Sequence, residues 1–186
     1  LNIPYRKNEV SRMADKMAEY PWFPHFDDGV RHTLELYPDR TLVDYLDDLA
    51  VKHGQKSALL FKGASLNYET LGRQSDAFAA ALSALGIQPG DRVALLLPNC
   101  PQFFVAQFGA WKAGAIVVPL NPTYTEREIE RAVRSNGVET IVALTALYER
   151  VVRVAQSSEV ERVIATSIKE YLPPVLRILF TLLREK

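Results

Sequence analysis

Cys100 stands directly before Pro101 at what reads as a helix start, where main-chain amides could favour a thiolate. No histidine is set beside it by the sequence, so a packed structural thiol is the preferred reading. His25, His32 and His53 have no partner set at metal-ligand spacing, which leaves surface or packing roles for them. Lys112 closes another helical stretch, where its charge favours the helix dipole, and that reading is preferred over ligand contact. From Glu126 to Arg134 the charges form a solvated helix face, with Glu130 and Arg134 ordered as a modest ion pair. A Gly-x-Gly-x-x-Gly run and a Gly-Lys pair are both absent, which disfavours a dehydrogenase or an NTPase. The residues by themselves give no catalytic, cofactor-binding or metal-ligating set.

The elements that would position these side chains are well punctuated. Four helical segments end at a glycine: from Thr41 to Gly54, from Asn67 to Gly86, from Pro101 to Gly114 and from Thr125 to Gly137. Glycine takes the left-handed conformation that closes a helix. Thr41 with Asp44 and Thr125 with Glu128 have capping-box spacing, Asn67 can cap, and Pro101 suits a first helical position. In the second helix Leu71, Phe78, Leu82 and Leu85 share one face, with Glu69, Arg73 and Asp76 away from it.

Short runs follow the glycines: Ser57 to Phe61, Arg92 to Leu97, Ala115 to Val118 and Val138 to Leu144. The middle two are almost wholly apolar, as expected of parallel strands covered on both faces. A helix from Thr145 to Ser157 then leads to a strand at Val160 to Thr166. Strands alternating with helices predict an α/β fold, a layered, mostly parallel sheet flanked by helices with right-handed crossovers. Ligands of such sheets sit beyond the strands' carboxyl ends, which points to Asn99, Cys100, Asn121 and Thr145.

A chain of 186 residues can bury a real core, and 48% hydrophobic with 24% charged residues is globular composition. Basic and acidic residues balance at 22 each, so nothing favours nucleic acid as a partner. A lone cysteine excludes an internal disulfide and suits either a reducing compartment or indifference to redox state. Charges through the first twenty residues argue against a signal peptide, and Leu1 suggests a trimmed or excerpted chain. Val93 to Trp111 is uncharged over the length of a membrane span, but Pro98, Asn99, Pro101 and Gln102 in its middle exclude that.

The ends differ from the middle. Residues 1–36 form an extension whose cluster from Tyr20 to Phe26 is expected to pack on the domain of residues 37–168. Residues 169–186 form an apolar helical tail. Leu176, Ile178, Leu179, Phe180, Leu182 and Leu183 there leave a strip of Arg177, Thr181 and Arg184. Packing on further protein is preferred for this tail, with a membrane interface as the alternative.

Leu66-Asn67-Tyr68-Glu69-Thr70-Leu71 resembles the opening motif of the adenylate-forming enzyme superfamily. Asn67 replaces the usual threonine, and both cap helices well. Gly90-Asp91-Arg92-Val93-Ala94 with Leu97-Pro98-Asn99 matches the next signature. Trp111-Lys112-Ala113-Gly114-Ala115, followed by Pro119-Leu120-Asn121-Pro122-Thr123-Tyr124-Thr125, looks like the second core motif. The order and spacing carry the resemblance, and the last stretch is most similar to the long-chain fatty-acid CoA ligases.

The resemblance implies the N-terminal subdomain of that fold. It marks Tyr68, Glu69, Asp91, Arg92, Asn99, Lys112, Gly114, Pro119, Asn121 and Pro122 as motif residues, mainly structural. The full-length family converts a carboxylate and ATP to acyl-AMP and then to acyl-CoA, with ATP, Mg2+ and coenzyme A. The family's Ser/Thr/Gly-rich loop ending in Pro-Lys-Gly does not occur here, so the isolated chain is expected to be inactive and to hold no cofactor alone. Expected partners are the remainder of the ligase, a long-chain fatty acid in the full-length enzyme, a homodimer contact and a peripheral membrane contact. The expected location is cytoplasmic, or peripheral at the inner membrane face. A free-standing acyl-, lipid- or partner-binding module of the same fold is the alternative.

Overall fold

The structure, a computed structural model, describes residue 22 and residues 25–30 and 38–184. The chain divides into two compact units, Leu1–Arg40 and Thr41–Lys186. In the first, His25 donates its amide to the Trp22 carbonyl at 3.0 Å and Val30 to that of Asp27 at 3.1 Å, giving two short turns. The expected packing of residues 1–36 on the domain lies outside the described residues.

Local signals build the second unit. Helix α1 (Leu42–Lys52) starts with a reciprocal cap, in which the Asp44 amide donates to Thr41 Oγ1 at 3.2 Å and the Thr41 amide to the Asp44 carboxylate at 2.7 Å. Strands β1 (Ser57–Phe61) and β2 (Ala64–Asn67) follow as an antiparallel hairpin. Asn67 Oδ1 then accepts the Thr70 amide at 2.8 Å, capping α2 (Tyr68–Ala84). Strand β3 (Arg92–Leu96) leads through Cys100 into α3 (Pro101–Lys112), and β4 (Ile116–Pro119) leads into α4 (Glu126–Asn136). Thr125 and Glu128 repeat the reciprocal cap on α4, which closes at left-handed Gly137. Strand β5 (Thr140–Leu144), α5 (Tyr148–Gln156), β6 (Arg162–Thr166) and α6 (Pro174–Arg184) complete the order, with 3₁₀ turns at Thr145–Leu147 and Ile168–Tyr171.

Strands β4, β3, β5 and β6 lie side by side in that order, all parallel. Alternation along β3 separates two cores. Val93, Leu95 and Leu97 pack with Leu82, Ala106 and Ala110 of α2 and α3. Ala94 and Leu96 pack with Ile129, Val133, Val151 and Val154 of α4 and α5. The sheet is therefore the middle of three layers, as the apolar strand pattern predicts. Gly109 brings α3 against α2, since a Cβ there would lie 2.8 Å from the Phe78 ring and 2.9 Å from the Ser75 carbonyl oxygen.

Several expectations need correction. The run at Ser57–Phe61 is not part of the parallel sheet; it pairs only with β2, which the reading by runs and glycines passed over. Its two-residue turn is Lys62-Gly63, both with positive φ, a conformation that asparagine usually advertises. Gly54 is not left-handed. It matters by closeness, because a Cβ would meet the Ala50 carbonyl oxygen at 2.5 Å. Leu85 caps α2 and is exposed instead of completing its buried face. The segment from Thr145 to Ser157 begins as a 3₁₀ turn, and β5 starts at Thr140, two residues after Val138.

Candidate functional site

Chain order and sheet order reverse at β3: β4 lies to one side of it, and β5 crosses over to the other. Such a switch opens a crevice at the carboxyl ends of β3 and β5. Residues 97–100 leave β3 there and Thr145 leaves β5, while Asn121 follows neighbouring β4, so the four rim residues stand at one sheet edge.

The chemistry available at this edge is modest. Cys100 is buried and precedes α3 without capping it through its side chain. Burial pushes the thiol up from its ordinary value, while hydrogen bonds from the Phe103 and Gln102 amides pull part of the way back. An activated thiolate would need the opposite balance. Gln102, which the sequence reading did not single out as a site residue, donates Nε2 to the Ser167 carbonyl at 2.8 Å. Among the described residues its buried Oε1 has no hydrogen-bond partner, nor has Thr140 Oγ1. The signal available beforehand was a glutamine in an otherwise apolar helix start.

The motif residues build turns. Asp91 accepts the Gln88 amide at 2.8 Å, and its own carbonyl accepts the Ile116 amide at 2.7 Å, tying the entries of β3 and β4 together. Arg92 begins β3 and is exposed. Gly114, at φ 78°, donates to the Trp111 carbonyl and accepts the Gly90 amide at 2.9 Å each; a Cβ would lie 3.0 Å from Pro89. Asn121 Oδ1 accepts the Thr123 amide at 3.0 Å and its hydroxyl at 2.8 Å, making an Asx turn that leads from Pro119 through Pro122 to the α4 cap. Tyr68 opens α2 and donates its amide to Lys56, and the Glu69 carboxylate accepts Gln55 Nε2 at 2.5 Å. Asn99 is exposed beyond β3.

Lys112 Nζ is 2.6 Å from Asp47 Oδ1 and 2.5 Å from Asp76 Oδ1, with the lysine side chain only 10% exposed. Burial disfavours its charged form, but the hydrogen bonds and charges of the two aspartates outweigh that and raise its pKa. One ammonium thus joins α1, α2 and α3, a role beyond the helix dipole. Glu130 and Arg134 pair at 3.2 Å, and Arg134 also reaches Glu159. His25 and His53 are exposed, and His32 lies outside the described residues. Among the described residues no three of His, Cys, Asp and Glu converge as a metal site.

Two clefts lie beside the hairpin. Tyr171, which donates its hydroxyl to Gln74 Oε1 at 2.6 Å, lines one of about 180 Å³ with Pro101, Glu170 and residues of β1 and β2. Burial, then Glu170 and Cys100, raise the phenol's pKa, against the pull of the Gln74 hydrogen bond. The other, about 370 Å³, runs from Lys62 in the hairpin turn along Leu176, Leu179, Phe180 and Leu183 of α6. Among the described residues no helix is long and apolar enough to cross a membrane.

With the geometry in hand, comparison with known proteins places the chain. Residues 46–177 match the family of AMP-binding enzymes. The chain is 36% identical over 169 residues to a long-chain-fatty-acid–CoA ligase of Bacillus subtilis, covering 91% of this chain and 30% of the relative. A relative with the same description from Escherichia coli O6:H1 is 37% identical over 141 residues, covering 74% of this chain and 25% of that protein. A crystal structure of a long-chain-fatty-acid–CoA ligase from Archaeoglobus fulgidus superposes with TM-score 0.65 at 26% identity, over 74% of this chain and 30% of that one. A benzoate CoA ligase from Burkholderia xenovorans gives 0.63 at 26% identity, over 67% and 25%. The chain spans about a third or less of the length of these relatives.

Proposed function

Because the chain belongs to the AMP-binding enzyme family, we propose that it is the N-terminal scaffold portion of an ATP-dependent fatty-acid CoA ligase. In the whole enzyme a carboxylate and ATP form acyl-AMP and pyrophosphate, and the acyl group then passes to the thiol of coenzyme A. In this reading residues 1–36 are an extension, 37–168 the α/β domain and 169–186 an apolar tail. The chain works in the cytoplasm beside the remainder of the ligase.

One observation carries the reading. Asp91, Gly114 and Asn121, all motif residues, are spent on turns that set the entries and exits of β3 and β4, and the motif's lysine, Lys112, is held by two aspartates. These are the contacts of a frame for a site, not of a site. In this reading the nucleotide, Mg2+ and coenzyme A are held elsewhere in the whole enzyme, a reading supported by Lys112 being paired with two aspartates and by no three of His, Cys, Asp and Glu converging among the described residues. Gripping phosphates takes aimed donors and a metal, which this reading assigns to segments that the relatives carry beyond the matched portion.

A chimera tests the proposal: residues 41–177 of this chain replace the matching portion of the Bacillus ligase, and fatty acyl-CoA formation is assayed. Turnover within about tenfold of the parent is expected. A chimera with native circular dichroism but no turnover contradicts the proposal. A second reading, a free-standing lipid- or partner-binding module with a homodimer or peripheral membrane contact, is favoured by one feature, the exposed apolar face of α6. Sedimentation with and without lipid vesicles separates these outcomes.

A further inference from the structure

Gln102 is only 5% exposed and has Pro101, Phe103 and Phe104 as its chain neighbours. Among the described residues its side chain makes one hydrogen bond, from Nε2 to the Ser167 carbonyl, 65 positions away, at 2.8 Å. That carbonyl is not orphaned without it, since the Glu170 amide also donates to it at 3.2 Å and closes the 3₁₀ turn. The other carboxamide atom, Oε1, is buried with no partner among the described residues. A buried amide with half its capacity unmet works against stability, so its place at this point needs another cause. A second tie stands close by. The Tyr171 hydroxyl donates to Gln74 Oε1 of α2, 97 positions away, at 2.6 Å. Tyr171 lines a cleft with Pro101, and Cys100 is near enough to help raise its pKa, so both ties lie beside the start of α3. Residues 167–172 follow β6, which pairs only with β5, and they are bound once to α3 and once to α2. Beyond them come Pro173 and Pro174, which have no amide to donate, and then the exposed face of α6.

We propose that Gln102 and Tyr171 are positioning residues, which latch residues 167–172 as a strap and so fix the course on which the chain leaves the sheet. Neither side chain touches a reacting group in this account. Gln102 reaches from the exit of β3 to the exit of β6, past β5 in the sheet order, and Tyr171 carries the strap on to α2. The use of the strap rests on the ligase reading: everything the whole enzyme carries after residue 172 departs from this point, and small errors in placement are costly to turnover. A residue kept for position leaves a different mark from one kept for stability. Methionine is near glutamine in volume, so Gln102→Met opens no large cavity, leaves the Ser167 carbonyl with the Glu170 amide and removes the unpartnered Oε1. It should therefore loosen the strap without weakening the fold.

Hydrogen exchange on the 186-residue chain, read by mass spectrometry, tests the latch itself. Gln102→Met should speed exchange across residues 168–172 about three- to tenfold, leave β3 and β5 unchanged, and keep the thermal midpoint within about 2 °C of the parent or above it. Tyr171→Phe should speed exchange of the same residues. The chimera with the Bacillus ligase tests the use of the latch. There Gln102→Met should lower kcat at least about fivefold while the KM values for ATP, fatty acid and coenzyme A stay within about twofold. Faster exchange throughout the sheet, a thermal midpoint that falls together with kcat, a raised KM at constant kcat, or no change in the strap would each overturn the proposal. A chimera that is inactive with Gln102 and Tyr171 intact counts against the ligase reading instead, and exchange in the chain alone then decides the latch.

Discussion

Val93–Leu97 and Leu176–Leu183 are comparably apolar stretches with opposite fates. The first is wholly buried between two helical layers, whereas Ile178, Leu182 and Leu183 of the second are each more than 60% exposed. Apolarity by itself does not decide burial. What separates the two is company: β3 has strands on both edges and helices on both faces, while α6, among the described residues, lies beside the hairpin and the 3₁₀ turn before it. Burial stabilises at roughly 25 cal/mol per Å² of apolar surface removed from water. The sheet therefore carries the stability of the unit, and the tail carries unspent binding surface.

That contrast can be broken or sharpened by substitution. Leu96→Ala, which opens a cavity between β3 and α4, should cost about 3 kcal/mol in urea unfolding, against a few tenths for Ile178→Ala on the tail. Equal losses would erase the distinction between the two regions. Gly114→Ala, strained by its φ of 78° and by Pro89, should cost about 2 kcal/mol in the same measurement. Thr125→Ala removes one half of the α4 cap and should cost about 1 kcal/mol.

A modest effect is expected at Lys112→Met, about 0.5–1 kcal/mol, because Asp47 and Asp76 are more than half exposed and water screens the pairs. A pKa raised on folding adds stability that is fully present below the unfolded value of lysine and is lost as pH rises through the higher folded value. The wild-type chain should therefore lose this increment only in the alkaline range. The methionine variant should lack that slope in a series of thermal midpoints measured against pH.

Much of this was legible in advance where the cause is local. The caps at Thr41, Asn67 and Thr125 and the left-handed glycines at 86, 114 and 137 depend on neighbours within a few residues, and the apolar runs identified β3 and β5. The hairpin was missed because its turn uses lysine where asparagine is usual. Lys112 could be placed at a helix end, but its aspartates stand 65 and 36 positions away, and no periodicity links them. Gln102 and Ser167, also 65 apart, meet only because α3 and the end of β6 share one sheet edge. Chain neighbours reveal the elements; partners across the fold require the crossovers to be built first. The candidate site was legible as motifs read as mainly structural, whereas the particular contacts of each motif residue, such as Lys112 with Asp47 and Asp76, were not.

ATP–pyrophosphate exchange, measured with radiolabelled pyrophosphate on the chain alone in the presence of Mg2+ and a long-chain fatty acid, addresses the scaffold account most directly. The account predicts label in ATP no higher than in a protein-free control. Fatty-acid-dependent exchange well above that control would mean that residues assigned here to holding turns are themselves handling the nucleotide, and the account would be wrong.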